Sequence, residues 1–151
     1  MMIKRLLISW LIIFSSFLVF SQEKATGYFD DDSTVDTLLY KFFKDSSNGP
    51  LYQCEMIRGN GKKNHFYIGV AFESFQISEC KKGCIETYQF KEGIEGYEIY
   101  CIYKFSRAYD NWILKSKTKF YNNKSRKIFI PKTITGIDGR EYKTGKVKKA
   151  S

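Results

Sequence analysis

Residues 30–44 read DDDSTVDTLLYKFFK. The period assigned to them sets the architecture expected of the chain that follows. Val35, Leu38, Leu39, Phe42 and Phe43 stand at i, i+3, i+4, i+7 and i+8, the spacing of one apolar helical stripe. Asp36, Thr37 and Lys41 then fall on the wet side. Asp32 or Ser33 can serve as N-cap, and the acids Asp30 to Asp32 suit the positive end of a helix dipole. Asp45-Ser46-Ser47-Asn48-Gly49-Pro50 is a breaker, so the segment predicts an amphipathic helix ending near Lys44. The acids lack the interleaved spacing and distal Glu of a calcium loop, which makes capping the better reading.

Around that segment the period is two. Gln22 to Phe29 reads as a short extended arm. Tyr52, Cys54 and Met56 alternate with polar residues, as Phe66, Ile68, Val70 and Phe72 alternate with Tyr67, Gly69 and Ala71. With the Gly59-Asn60-Gly61 turn these make a hairpin. Ser74 to Gly83 reads as a polar connection and Ile85 to Phe90 as a strand. Tyr97 to Phe105 is apolar on both faces and is expected to be central. Trp112 to Tyr121 and Lys127 to Ile130 complete the series, with Pro131 marking an end or an edge. The fold class expected is α+β: one N-terminal helix on a curved antiparallel sheet of about six strands, with a small β-barrel as the alternative. This layout resembles cystatin-like helix-on-sheet folds in architecture alone. The Q-x-V-x-G loop of protease-inhibiting cystatins is absent, so the resemblance implies no such activity.

A chain of 151 residues, 43% hydrophobic and 27% charged, fits one globular domain. Lys4 and Arg5 precede fifteen residues, Leu6 to Phe20, of which only three serines are not apolar. That pattern predicts a secretory signal peptide over 1–21, cut after Ser21. An uncleaved anchor would want about 20 apolar residues. Residues 22–142 are then the domain and 143–151 a basic tail. The mature protein is expected outside the cytoplasm, periplasmic or extracellular, without a stable membrane anchor. Export excludes transcription factors, kinases and enzymes that need cytosolic cofactors.

Cys54, Cys80, Cys84 and Cys101 all follow the signal. An even count in a small exported domain reads as disulfides. Cys80 with Cys84 is expected as a local staple around Lys81-Lys82-Gly83, and Cys54 with Cys101 as a strand-to-strand bridge; Cys84 with Cys101 is a close alternative. The spacing lacks paired zinc knuckles, and three residues between Cys80 and Cys84 depart from the two of a redox motif.

Charge is segregated. Residues 22–114 hold 11 Lys+Arg against 14 Asp+Glu, net −3, whereas residues 115–151 hold 12 against 2, net +10. Lys115, Lys117 and Lys119 alternate and so predict one strand face. Lys124, Arg126 and Lys127 follow, then Lys143, Lys146, Lys148 and Lys149, with Phe120, Tyr121 and Phe129 interleaved. The set, above all Lys115, Lys117, Lys119, Lys124, Arg126, Lys127, Lys143 and Lys146, is the candidate binding surface for an acidic protein or anionic envelope polymer. Lysine predominates over arginine, which disfavours nucleic acid.

No nucleophile motif, metal motif or phosphate loop is present, and His65 is the sole histidine. Glu55, Glu73, Glu86 and Glu98 could pair for glycosidase chemistry only if folding brought two together. The function expected is a non-catalytic binding module without cofactor or metal, of inhibitor or immunity type. The alternative is a carrier of an apolar ligand between helix and sheet, lined by Phe42, Phe72, Tyr103 and Trp112.

Overall fold

The structure is a computed structural model that describes residues 22–143 other than 46, 48, 71–73, 92, 94–95 and 122–125. The expected signal peptide and the tail beyond Lys143 lie outside the described residues, as do Phe72, Glu73, Lys124 and Lys146. The strands in chain order are β1 (Glu23–Gly27), β2 (Asp36–Asp45), β3 (Gly49–Ile57), β4 (Lys63–Gly69), β5 (Phe75–Lys81) and β6 (Cys84–Lys91). They continue with β7 (Tyr97–Ser106), β8 (Asn111–Tyr121), β9 (Arg126–Phe129), β10 (Ile134–Thr135) and β11 (Glu141–Tyr142). All pairings are antiparallel: β1-β2-β3-β4, β5-β6-β7-β8-β9 and the small hairpin β10-β11. Among the described residues there is no helix, and so none long and apolar enough to cross a membrane.

The expected α+β class is therefore overturned, and residues 36–45 show why. Asp36, Leu38 and Tyr40 are buried in strict alternation. Val35 and Phe43, two members of the helical stripe, are 54% and 49% exposed, whereas Asp36, expected on the wet side, is 0% exposed. Leu38 and Phe42 serve either period, so Tyr40 decides: it is useless to the stripe and buried in the strand. β-branched and aromatic residues also suit a pleated surface. The acidic run folds into consecutive side-chain turns in place of a helix cap. Asp30 Oδ1 accepts from the Asp32 N–H at 3.2 Å and Asp32 Oδ1 from the Thr34 N–H at 2.7 Å. The cystatin-like layout and the helix–sheet pocket disappear with the helix. The barrel alternative is not formed either, because the strands divide into separate sheets. The polar connection expected over Ser74 to Gly83 contains β5, whose Phe75 and Ile77 are buried.

The two large sheets share one core. Leu38, Tyr40, Tyr52, Cys54, Met56, Phe66 and Ile68 from the first meet Phe75, Ile77, Ile85 and Trp112 from the second. Tyr52 stacks on Phe75 with ring centroids 4.4 Å apart, and Phe66 faces Trp112 at 6.3 Å. Arg58, just after β3, closes one end. Its side chain is 4% exposed, and its guanidinium lies 4.8 Å from the Phe105 ring centroid and 5.3 Å from that of Trp112. Its Nη1 donates to Asp110 Oδ1 at 2.8 Å, and Nε lies 3.8 Å from Asp30 Oδ2. Asp36 accepts from the Asp30 and Gly59 N–H groups at 3.1 and 2.9 Å, and Trp112 Nε1 donates to the Phe29 carbonyl. Removing either partner of the buried Arg58–Asp30 pair costs about 3–5 kcal/mol.

The Cys80–Cys84 disulfide spans 5.4 Å between Cα atoms and closes the β5–β6 hairpin. Gly83 lies inside it at φ +72°, donates to the Tyr28 carbonyl at 2.7 Å and accepts from the Phe105 N–H at 2.8 Å. A Cβ at Gly83 would sit 2.7 Å from Asp31 Cβ, whereas one at Gly61, φ +85°, would meet nothing within 4 Å.

Two expected outcomes follow from these contacts. Gly61→Ala loses about 1 kcal/mol in urea unfolding from its left-handed backbone alone, and Gly83→Ala loses at least about 2 kcal/mol because the β1–β2 loop must also shift. Equal losses would show that the loop contact carries no weight. The second concerns Asp110. Burial alone would raise its pKa, but Lys62 and Arg58 outweigh burial and hold it below its ordinary 3.8. Its contribution is thus present above pH 3.8 and lost as pH falls through the lower folded-state value. Asp110→Asn is expected to be less stable than wild type at pH 7, with the gap narrowing below pH 3.8 in chemical denaturation. A gap independent of pH would contradict this.

Candidate binding surface

β7 and β8 pair along nearly their whole length. At one end, Phe105 opposite Trp112 packs around Arg58; at the other, Tyr97 faces Tyr121. Directly opposed residues of an antiparallel pair share a face. One face of the far end therefore carries the rows Lys91–Tyr97–Tyr121, Gln89–Ile99–Lys119–Lys127 and Thr87–Cys101–Lys117–Phe129. These rows hold four lysines and no carboxylate. The opposite face carries Glu98 opposite Phe120 and Phe120 opposite Arg126, with Tyr100, Thr118 and Ile128 in the next row.

Three of the expected cations, Lys117, Lys119 and Lys127, are thus brought together. Lys119 lies directly opposite Lys127. Its Nζ is 3.5 Å from the Tyr97 ring centroid and 5.1 Å from that of Tyr121. Lys127 Nζ is 5.7 Å from the Phe129 centroid. A ring face contributes about 0.5–1 kcal/mol to an exposed cation. No carboxylate among the described residues is within ion-pairing distance of Lys117, Lys119 or Lys127; the acids with cation partners are Asp30, Asp110, Glu55 and Asp138.

The rest of the expected set is dispersed. Lys115 does not share the row pattern, because the register shifts between Ile102 and Tyr103 and leaves it between Leu114 and Ser116 with no residue opposite in β7. Arg126 is on the other face of β9. Lys143 follows the β10–β11 hairpin, which meets β8 at Ile113, away from the lysine rows. There it borders a cleft of about 310 Å³ with Lys132, Thr133, Glu141 and Tyr142. Lys124 and Lys146 are outside the described residues. Sequence reading missed Tyr97 and Lys91, since only the β6–β7–β8 register brings them to the lysines.

The other candidate sites become structural. The carboxylates of Asp30, Asp32 and Asp36 lie close enough to hold a metal, yet each already accepts backbone N–H groups. Burial first, then Asp36 and Asp32, raise the Asp30 carboxyl above its ordinary range, against the Asp32 N–H and Arg58. His65 is exposed opposite Glu55. Glu86 accepts from Ser78 Oγ at 2.8 Å and from the Tyr100 hydroxyl. Glu86 pairs with Ile102, four residues from Glu98, which places the two acids about 13 Å apart along the strand. Phe42 packs on Tyr52, and Trp112 on Phe66 and Phe105, so these rings fill core rather than line a carrier pocket.

Of the cysteines, only Cys80 and Cys84 are bonded; Cys54 and Cys101 are buried free thiols. The expected Cys54–Cys101 bridge, and the Cys84–Cys101 alternative, are not formed. Cys54 sits in the shared core on β3, and Cys101 on β7 has Thr87, Tyr103 and Lys117 about it. No family model matches the chain, and neither a curated protein nor a solved structure is significantly similar to it.

Burial pushes the Cys54 thiol up to about 12. Burial also raises Cys101, with Lys117 and the Thr87 and Tyr103 hydroxyls opposing it. At pH 8 the folded protein is therefore expected to resist iodoacetamide and to take up two alkyl groups per chain only in denaturant. Rapid native labelling would show that either thiol is open to solvent.

Proposed function

We propose that the protein is an exported, non-catalytic binding module whose lysine face on β7–β9 holds an anionic partner, an acidic protein or an envelope polymer. One observation carries the reading. Lys119 stands directly opposite Lys127, Lys117 is in the next row of that face, and no carboxylate shares these rows. Like charges opposed across a sheet are destabilising, and an anion laid over them relieves the repulsion. The surrounding Tyr97, Tyr121 and Phe129 rings add contact area that does not depend on charge. The Cys80–Cys84 bond supports export, because disulfides persist in oxidising compartments.

The reading is tested with polyglutamate as probe in fluorescence anisotropy. Binding is expected at low ionic strength, weakening as salt rises. The triple substitution Lys117→Gln, Lys119→Gln, Lys127→Gln is expected to weaken it by about tenfold or more, while thermal stability holds or rises as the repulsion is removed. A triple variant that binds like wild type would reject the lysine face as the site.

A further inference from the structure

β9 is the last strand of its sheet, paired through Lys117↔Phe129, Thr118↔Ile128, Lys119↔Lys127 and Phe120↔Arg126. Among the described residues no strand pairs with its other side. Antiparallel pairing uses only part of a strand's backbone donors and acceptors, so the remaining ones point outward. The strand is exposed throughout. Ile128, Phe129 and the following Ile130 are 51%, 43% and 77% exposed, and Phe120 beside them is 38% exposed. Sheet edges are normally blunted with charge, proline or short length. This one is short and carries Arg126 and Lys127, yet it presents three consecutive large apolar residues before Pro131.

We infer that β9 is the docking edge for an extended acidic segment of a partner protein, which adds to the sheet as a sixth strand. The inference rests on the lysine face being the site for an anionic partner, and it names the kind of partner. Alternate side chains of an added strand fall on one face about 7 Å apart. On the lysine face they meet Lys127 and Phe129; on the other they meet Arg126 and Ile128. From Arg126 to Ile130 the edge reads basic, basic, apolar, apolar, apolar. Its complement is a segment with carboxylates at one end and apolar side chains at the other. The carboxylate opposite Lys127 also faces Lys119 in the same row. A second copy of this chain would cover the apolar residues but gather two sets of Lys117, Lys119, Arg126 and Lys127 without a counter-charge. Charge therefore favours the acidic segment. A glycan has no peptide groups to pair with the edge.

The test uses the purified protein with labelled peptides for the two strand directions, acetyl-Asp-Glu-Val-Thr-Val-amide for parallel and acetyl-Val-Thr-Val-Glu-Asp-amide for antiparallel addition; the tighter binder is the parent of two N-methylated twins, each blocked along one of its two edges. Polyacrylate, which carries carboxylates but no peptide groups, is the charge-only control, and sedimentation velocity reads self-association. Strand addition is expected to give binding of the parent and of one twin, with the other twin at least about tenfold weaker. Ile128→Ser is expected to weaken the peptide but not polyacrylate. If both twins bind like the parent, or if neither peptide binds while polyacrylate does, strand addition is overturned while the lysine-face reading stands. If neither the peptides nor polyacrylate binds, both fall together. A dimer that is lost in Ile128→Ser, with no peptide bound, assigns the edge to a second copy and overturns the inference.

Discussion

The Arg58 guanidinium, held between the Phe105 and Trp112 rings and tied to Asp30 and Asp110, joins everything else. Its partners come from the β1–β2 loop and the β7–β8 turn, so one buried cation links the two large sheets. A charge removed from water is tolerated only when it is paired and well surrounded. Here the pairing fixes the sheets' relative placement at one end of the core. Gly83 does similar work from the disulfide-closed hairpin, bonding to Tyr28 in one direction and Phe105 in the other.

That constraint bears on the binding surface because the same two strands serve both ends. Phe105 and Trp112 are anchored in the core, while Tyr97 and Tyr121 lie eight or nine residues further along the same strands. The lysine rows are therefore presented on a rigid sheet rather than on a loop. A rigid presentation lowers the ordering cost that a partner must overcome. The acids of the chain are used differently. Asp30, Asp32 and Asp36 accept backbone N–H groups, Asp110 holds Arg58, and Glu86 and Glu98 sit on the opposite face. Local structure engages these carboxylates, and the lysines of β8 and β9 are left to face solvent together.

Much of the sheet was legible from alternation alone. The β3–β4 hairpin, the central place of β7 and the edge position of β9 all follow from period-two patterns and turn residues. The spacing of Cys80 and Cys84 around a tight glycine turn also pointed to their bond. Two readings failed for physical reasons. Residues 35–44 satisfy a helical stripe and a strand face almost equally, and short apolar runs cannot be told apart by periodicity. The pairing of this segment with β1 and β3 on either side, and the packing of Tyr40 against Phe75 of β5, decide between them. Cys54 and Cys101 both lie on apolar faces, but on different sheets, and no local pattern records how two sheets superpose.

Composition and order along the chain determined that this protein is rich in strands, carries its positive charge in the last 37 residues and closes one hairpin with a disulfide. They could do so because charge, turn chemistry and two-residue alternation are local properties. Only the tertiary structure decided which lysines act together. The register of β7, β8 and β9 set Lys119 against Lys127, the shift beside Ile102 removed Lys115 from the group, and Tyr97 entered from a strand some twenty residues earlier. Register depends on how whole faces are buried, since a slip of one residue turns every side chain over.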